Sequence, residues 1–183
     1  MKAYIDTSVI ISAYKPDEES GKESLRVAKL DAVRKVGSYM LVVELFSVIS
    51  RLYRASLIEM PTSIEGLLSK LPFEERVYAL VNALILDWNL SCPSTGFEAK
   101  QLRLKDFALW MPEAMLEACA MVPAVNLKTL DLIHVASAKI INDVSHDLAY
   151  FVTLDQDILD GRDEIKKVAG FQPLTPQELL DAI

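Results

Sequence analysis

Glycine is scarce in this chain of 183 residues, with 6 in all, and none fall in the run that a phosphate-cradling loop or a dinucleotide fingerprint needs. Cysteine is scarcer still. Cys92 and Cys119 make neither a disulfide framework nor a metal-ligand spacing. A reduced, cytoplasmic setting is the simple expectation, with both thiols read as small buried hydrophobes. Basic residues are outnumbered, 19 against 26 acids, and the net charge of −7 excludes a globally basic nucleic-acid coat while leaving room for a local patch. No cationic stretch at the N-terminus leads into an apolar run and a small-residue cleavage site, so no signal peptide is expected. Long hydrophobic runs are missing too. The run 79–86 is broken by Asn82 and stopped by Asp87, too short for a bilayer, so no membrane partner is expected.

What is there is 51% hydrophobic and 25% charged, which rules out a disordered or collagen-like chain. The length suits one domain, 1–183, with an extended middle region at about 58–110. A mean hydropathy of +0.23 points to a well-filled core or to apolar surface covered by a partner.

The pattern predicts a strand over 2–6, with Thr7 and Ser8 suited to cap a helix behind it. Pro16, Asp17 and Gly21 mark a loop. Apolar spacing predicts an amphipathic helix over 22–35, ended by Gly37, and a largely buried helix capped by Ser38 that runs through Glu44 to about Leu57. Further helices are expected over 64–71 and 73–84, and a strand over 85–91. The segment 97–107 reads as a hairpin or an insertion. Pro112 fits the first turn of a helix over 113–122, and Thr129 the cap of the helix carrying Asp131. A strand over 150–153 places Asp155 just past its end. A last strand and a helix opened by Thr175 and Pro176 close the chain. Helices alternating with short strands argue for α/β with a parallel sheet.

Four acids stand in apolar surroundings: Asp6 after Tyr4-Ile5, Glu44 within Leu41-Val42-Val43-Glu44-Leu45-Phe46, Asp131 within Leu130-Asp131-Leu132-Ile133, and Asp155 after Phe151-Val152-Thr153-Leu154. An ionised carboxylate there is costly unless paired, and Lys or Arg partners are scarce nearby in sequence. The economical expectation is that the four converge at the carboxyl edge of the sheet and share divalent cations. Oxygen ligands without His or Cys suit Mg²⁺ or Mn²⁺ rather than zinc. His134, three residues from Asp131, reads as a buried hydrogen-bonded histidine, and Trp88 and Trp110 as packing residues. Lys100, Arg103 and Lys105 read as a basic strip on one strand face.

These segments resemble the PIN-domain nucleases, most closely the VapC-type ribonucleases of toxin–antitoxin pairs. Tyr4-Ile5-Asp6-Thr7-Ser8, Val42-Val43-Glu44-Leu45, Leu130-Asp131-Leu132-Ile133-His134 and Phe151-Val152-Thr153-Leu154-Asp155-Gln156-Asp157 occur in family order across almost the whole chain. The resemblance implies an α/β/α fold with a central, mostly parallel sheet flanked by helices. It makes Asp6, Glu44, Asp131 and Asp155 catalytic, metal-binding acids, with Asp157 auxiliary. It assigns Thr7, Ser8 and Thr153 to hydrogen-bond the carboxylates or a metal water. It also implies an RNA substrate cut to 5′-phosphate and 3′-hydroxyl ends, an antitoxin partner over the site, and a homodimer. The chain is longer than typical members between Glu44 and Asp131, and Ile158 stands where an aromatic is frequent. A non-catalytic scaffold or RNA-binding module of the same fold is the alternative. A phosphatase with Asp6 as nucleophile expects a second acid two residues on, where Ser8 stands.

Overall fold

The first motif folds as a strand because Ala3, Tyr4 and Ile5 are each fully buried and face opposite ways in turn. In the computed structural model, which describes residues 1–15, 20–58, 66 and 68–183, the strands are β1 (Lys2–Ile5), β2 (Arg34–Val36), β3 (Ala99–Leu104), β4 (Phe107–Pro112), β5 (Leu148–Val152) and β6 (Gln172–Leu174). Four of them form a parallel sheet in the order β2-β1-β5-β6, and β3 and β4 pair antiparallel in a hairpin. The helices are α1 (Thr7–Ser12), α2 (Gly21–Ala28), α3 (Tyr39–Arg54), α4 (Phe73–Asp87), α5 (Glu113–Met121), α6 (Thr129–Ser145), α7 (Gln156–Asp160), α8 (Arg162–Ala169) and α9 (Pro176–Asp181).

Strand alternation sorts the core into two layers. Ala3, Ile5 and Val152 pack with Leu41, Leu45 and Ile49 of α3 and with Leu80 and Val81 of α4. Tyr4 and Phe151, one residue out of step, face Leu132, Val135 and Ala136 of α6 and Ile165 of α8 on the other side. Tyr4 stacks on Phe151 at 4.9 Å, and Phe151 on Phe171 at 5.8 Å. This is the expected α/β/α sandwich around a parallel sheet.

Several expectations need correcting. The helix foreseen over 22–35 stops at Ala28, and Arg34–Val36 is strand β2. The cause is Lys35, which is 4% exposed and donates its ammonium to the Ala28 carbonyl at 2.6 Å and the Leu30 carbonyl at 2.9 Å. The lysine thus closes the end of α2 from the neighbouring strand, and its burial pushes its pKa down. Lys35→Met keeps the stem and removes the donors, and should cost about 1–3 kcal/mol, read as a lower urea midpoint.

Of the strand foreseen over 85–91, residues 85–87 are the end of α4 and Trp88 is its C-cap, leaving one bridge between Val36 and Ser91. Thr129 is the first residue of its helix rather than the cap, and Pro112 is a cap rather than a first-turn residue. The segment 97–107 belongs to the hairpin. A period of two puts Lys100 and Arg103 on opposite hairpin faces, and Lys105 lies between the strands, so no shared basic strip forms. Trp88 is fully buried, whereas Trp110 is 68% exposed, and both cysteines are exposed rather than buried. Pro16 and Asp17 lie outside the described residues, as do Ile64, Glu65 and Leu67 of the helix foreseen over 64–71. Among the described residues no helix is long and apolar enough to cross a membrane.

Candidate metal centre

Strands β1 and β5 are neighbours, with Ile5 level with Val152, so the residues that follow each strand emerge side by side at the carboxyl edge of the sheet. Asp6 is the first. Its backbone is extended, which folds its carboxylate back over the first turn of α1 as the N-cap. Oδ1 accepts from the Thr7 amide at 2.8 Å. Oδ2 accepts from the Ser8 hydroxyl at 2.7 Å and from the Thr153 hydroxyl at 2.8 Å. Asp6, not Thr7 or Ser8, therefore caps this helix, and it is 7% exposed. The Thr7 hydroxyl has no hydrogen-bond partner, so Thr7 serves Asp6 through its backbone.

The same hydroxyls tie the second strand end in. Thr153 Oγ1 accepts from the Asp155 amide at 2.9 Å, and Ser8 Oγ accepts from the Leu154 amide at 3.1 Å. Asp155 caps α7, with Oδ1 accepting from the amides of Asp157 at 2.8 Å and Ile158 at 3.4 Å. Asp131 enters from the first turn of α6. Carboxylate oxygens of Asp131, Asp155 and Asp157 lie within 4.8 Å of one another. Burial, then the nearby charges of Asp155 and Asp6, push the Asp131 carboxyl up to about 6. Its Oδ2 is buried and accepts no hydrogen bond.

Glu44 reaches the site from the middle of α3, where its partner is an imidazole. His134 Nε2 lies 3.0 Å from Glu44 Oε2, and His134 Nδ1 lies 2.9 Å from the Tyr4 hydroxyl, which also contacts Ser38 Oγ at 2.7 Å. Burial works against a charged His134, but the Glu44 hydrogen bond and the charges of Asp6, Glu44 and Asp131 outweigh it and raise its pKa. Burial likewise pushes Glu44 up, but the His134 hydrogen bond, the adjacent Thr7 hydroxyl and the His134 and Arg51 charges hold it below the usual range. The Thr7 hydroxyl acts here by proximity, short of hydrogen-bond geometry.

The acids are thus grouped differently from the single cluster expected. Asp131, Asp155 and Asp157 form one ligand-sized group, and Asp6, Glu44 and His134 another. The histidine was expected to be buried and hydrogen-bonded, as found, but no sequence spacing links it to Glu44, ninety positions away. With both ring nitrogens engaged, His134 reads as the partner of Glu44 rather than as a zinc ligand. The first group presents only carboxylate oxygens, one of them a buried orphan, and that donor set fits a hard divalent cation. Sequence reasoning missed Lys128, whose ammonium sits 2.5 Å from Asp157 Oδ2. Its position three residues before Asp131 was the available signal.

A family model for the PIN domain matches residues 3–163. No curated protein matches the chain.

Proposed function

From its membership of the PIN domain family, whose members are in general metal-dependent nucleases, we propose that this chain is a Mg²⁺- or Mn²⁺-dependent endoribonuclease. The observation that carries the proposal is the Asp131 carboxyl, grouped with those of Asp155 and Asp157 at the carboxyl edge of a parallel sheet and carrying a buried, unpartnered oxygen. A carboxylate raised to about 6 by burial and by its acidic neighbours is a poor structural element and a good cation ligand. A scaffold with no catalytic duty gains nothing from it.

Asp131, Asp155 and Asp157 would hold a divalent cation, with Asp6 and Glu44 beside them. Such a cation supplies Lewis-acid charge to a phosphodiester and eases deprotonation of water. Asp6, locked by three donors, keeps one orientation and does not need to reorganise during the reaction. Thr153 and Ser8 hold the two strand ends in register and so fix Asp155 relative to Asp6. His134 orients Glu44. The order of the four motifs extends the proposal to the toxin half of a toxin–antitoxin pair that works in the cytoplasm as a homodimer, with an antitoxin covering the acidic cleft.

The test is cleavage of single-stranded RNA in Mn²⁺, with ends mapped, by the wild type and by Asp6→Asn. Wild-type product with 5′-phosphate ends, and a loss of at least about a hundred-fold in the folded variant, is the expected result. Equal cleavage by both refutes the assignment. Absence of Mn²⁺ uptake in calorimetry would favour the scaffold.

A further inference from the structure

We infer that Lys128 couples metal binding to RNA binding: its ammonium holds Asp157, must be displaced for a divalent cation to use that carboxylate, and once displaced contacts a substrate phosphate. This rests on the nuclease reading of the site.

The contact is placed for such an exchange. Lys128 is the N-cap residue of α6, so its backbone sits one turn from Asp131, and its side chain crosses to Asp157 on the neighbouring helix α7. Asp157 is in turn grouped with Asp131 and Asp155, so the ammonium sits on one carboxylate of the ligand-sized group, and the charges of the other two also raise its pKa. The pair is open to water, with the lysine side chain 76% and the aspartate 49% exposed. An exposed ion pair is weak, and a divalent cation shared by three carboxylates outcompetes a single ammonium. Lys128 makes no side-chain cap bond to its helix, so leaving Asp157 costs α6 no capping contact.

There is also somewhere for it to act. A cavity of about 530 Å³ opens at this point, and its lining includes Asn126, Leu127, Lys128 and the three acids Asp157, Asp160 and Glu164. That volume lies within the range of ligand clefts. Asp157, Asp160 and Glu164 repel phosphate, which leaves Lys128 as the cationic group on that lining able to meet it. The displaced ammonium is the compact charge that a phosphate oxygen accepts. Lys128 is therefore a substrate-binding residue: it holds no metal and touches substrate only at a backbone phosphate.

The test uses the full chain in two measurements. In calorimetry with Mn²⁺ alone, Lys128→Gln should bind about two- to five-fold tighter than wild type, because its competitor is gone. In anisotropy with a labelled single-stranded RNA, in the cleavage-impaired Asp6→Asn background, adding Mn²⁺ should tighten binding when Lys128 is present. Lys128→Gln should erase that gain, and Lys128→Arg should restore most of it. In cleavage, Lys128→Gln should raise KM about ten-fold with kcat changed far less. Unchanged or weaker Mn²⁺ binding in Lys128→Gln, or an undiminished Mn²⁺-dependent gain in RNA affinity, overturns the coupling while leaving the nuclease reading intact. Wild type that takes up no Mn²⁺ sinks both.

Discussion

Asp131→Asn should abolish RNA cleavage and at the same time make the metal-free protein more stable at pH 7. The two effects share one cause. The carboxyl is raised to about 6 by burial, Asp155 and Asp6, against an ordinary 3.8. Below about pH 4 the group is protonated in both folded and unfolded chains. Between about 4 and 6 the folded chain retains a proton that the unfolded chain has released. Stability therefore falls as pH rises through that window, and the loss is complete above it. The asparagine has no charge to repel, so its stability should be flat there. A direct conversion of the shift gives about 3 kcal/mol, but the residue is partly exposed and screened, so about 1 kcal/mol is the fair expectation. In a chain of this size that is a rise of about 2–4 °C in Tm, read by thermal melts in chelator. Cleavage should fall by at least about a hundred-fold. Added Mn²⁺ should raise the wild-type Tm and leave the variant nearly unmoved. A variant that melts with the wild type at every pH and still cuts RNA removes Asp131 from the site.

His134→Ala should be the most destabilising single change near the site, at about 3 kcal/mol. It strips Glu44 of its partner and the Tyr4 hydroxyl of one of its two contacts, and it leaves a hole where a 2% exposed ring was. Breaking one side of a buried pair costs more than the pair contributes, and the half-open Glu44 keeps the figure toward the lower end. The pH dependence has two edges. Glu44, held low by His134, contributes stability that is present above its unfolded pKa and lost as pH falls through its lowered folded value. His134, held high, contributes stability present below its unfolded pKa and lost as pH rises through its raised folded value. Urea unfolding at pH 6 and pH 9 should show the wild type losing stability across that interval and the alanine variant losing much less. Parallel losses in both proteins would falsify the pairing.

The sheet-edge acids were legible because each follows a short apolar strand, which sets it at the carboxyl edge of the sheet and at the start of the next helix. Asp6 and Asp155 follow from that alone. Their locking by Ser8 and Thr153 was expected in kind, but the role of Thr7 was not: its hydroxyl stays unpaired and its backbone amide makes the contact. Strand β2 was illegible because Arg34-Lys35-Val36 continues a charged helical pattern, and only a tertiary contact turns Lys35 inward. The foreseen strand over 85–91 failed for the opposite reason: Ile85 and Leu86 have strand-like composition but extend a helix already begun at Phe73. The Glu44–His134 and Lys128–Asp157 pairs span 90 and 29 positions, and no local pattern reports such distances.

The two edges of the central sheet, β2 and β6, are three residues each, and β6 carries Pro173 at its middle. A stray chain finds almost no template there, since few amides are free and one position has none. The hairpin is the opposite case, with two six-residue strands that present Phe107, Leu109 and Trp110 to water. Self-association at high protein concentration should therefore seed on the hairpin's flanks and spare the sheet that carries the acids.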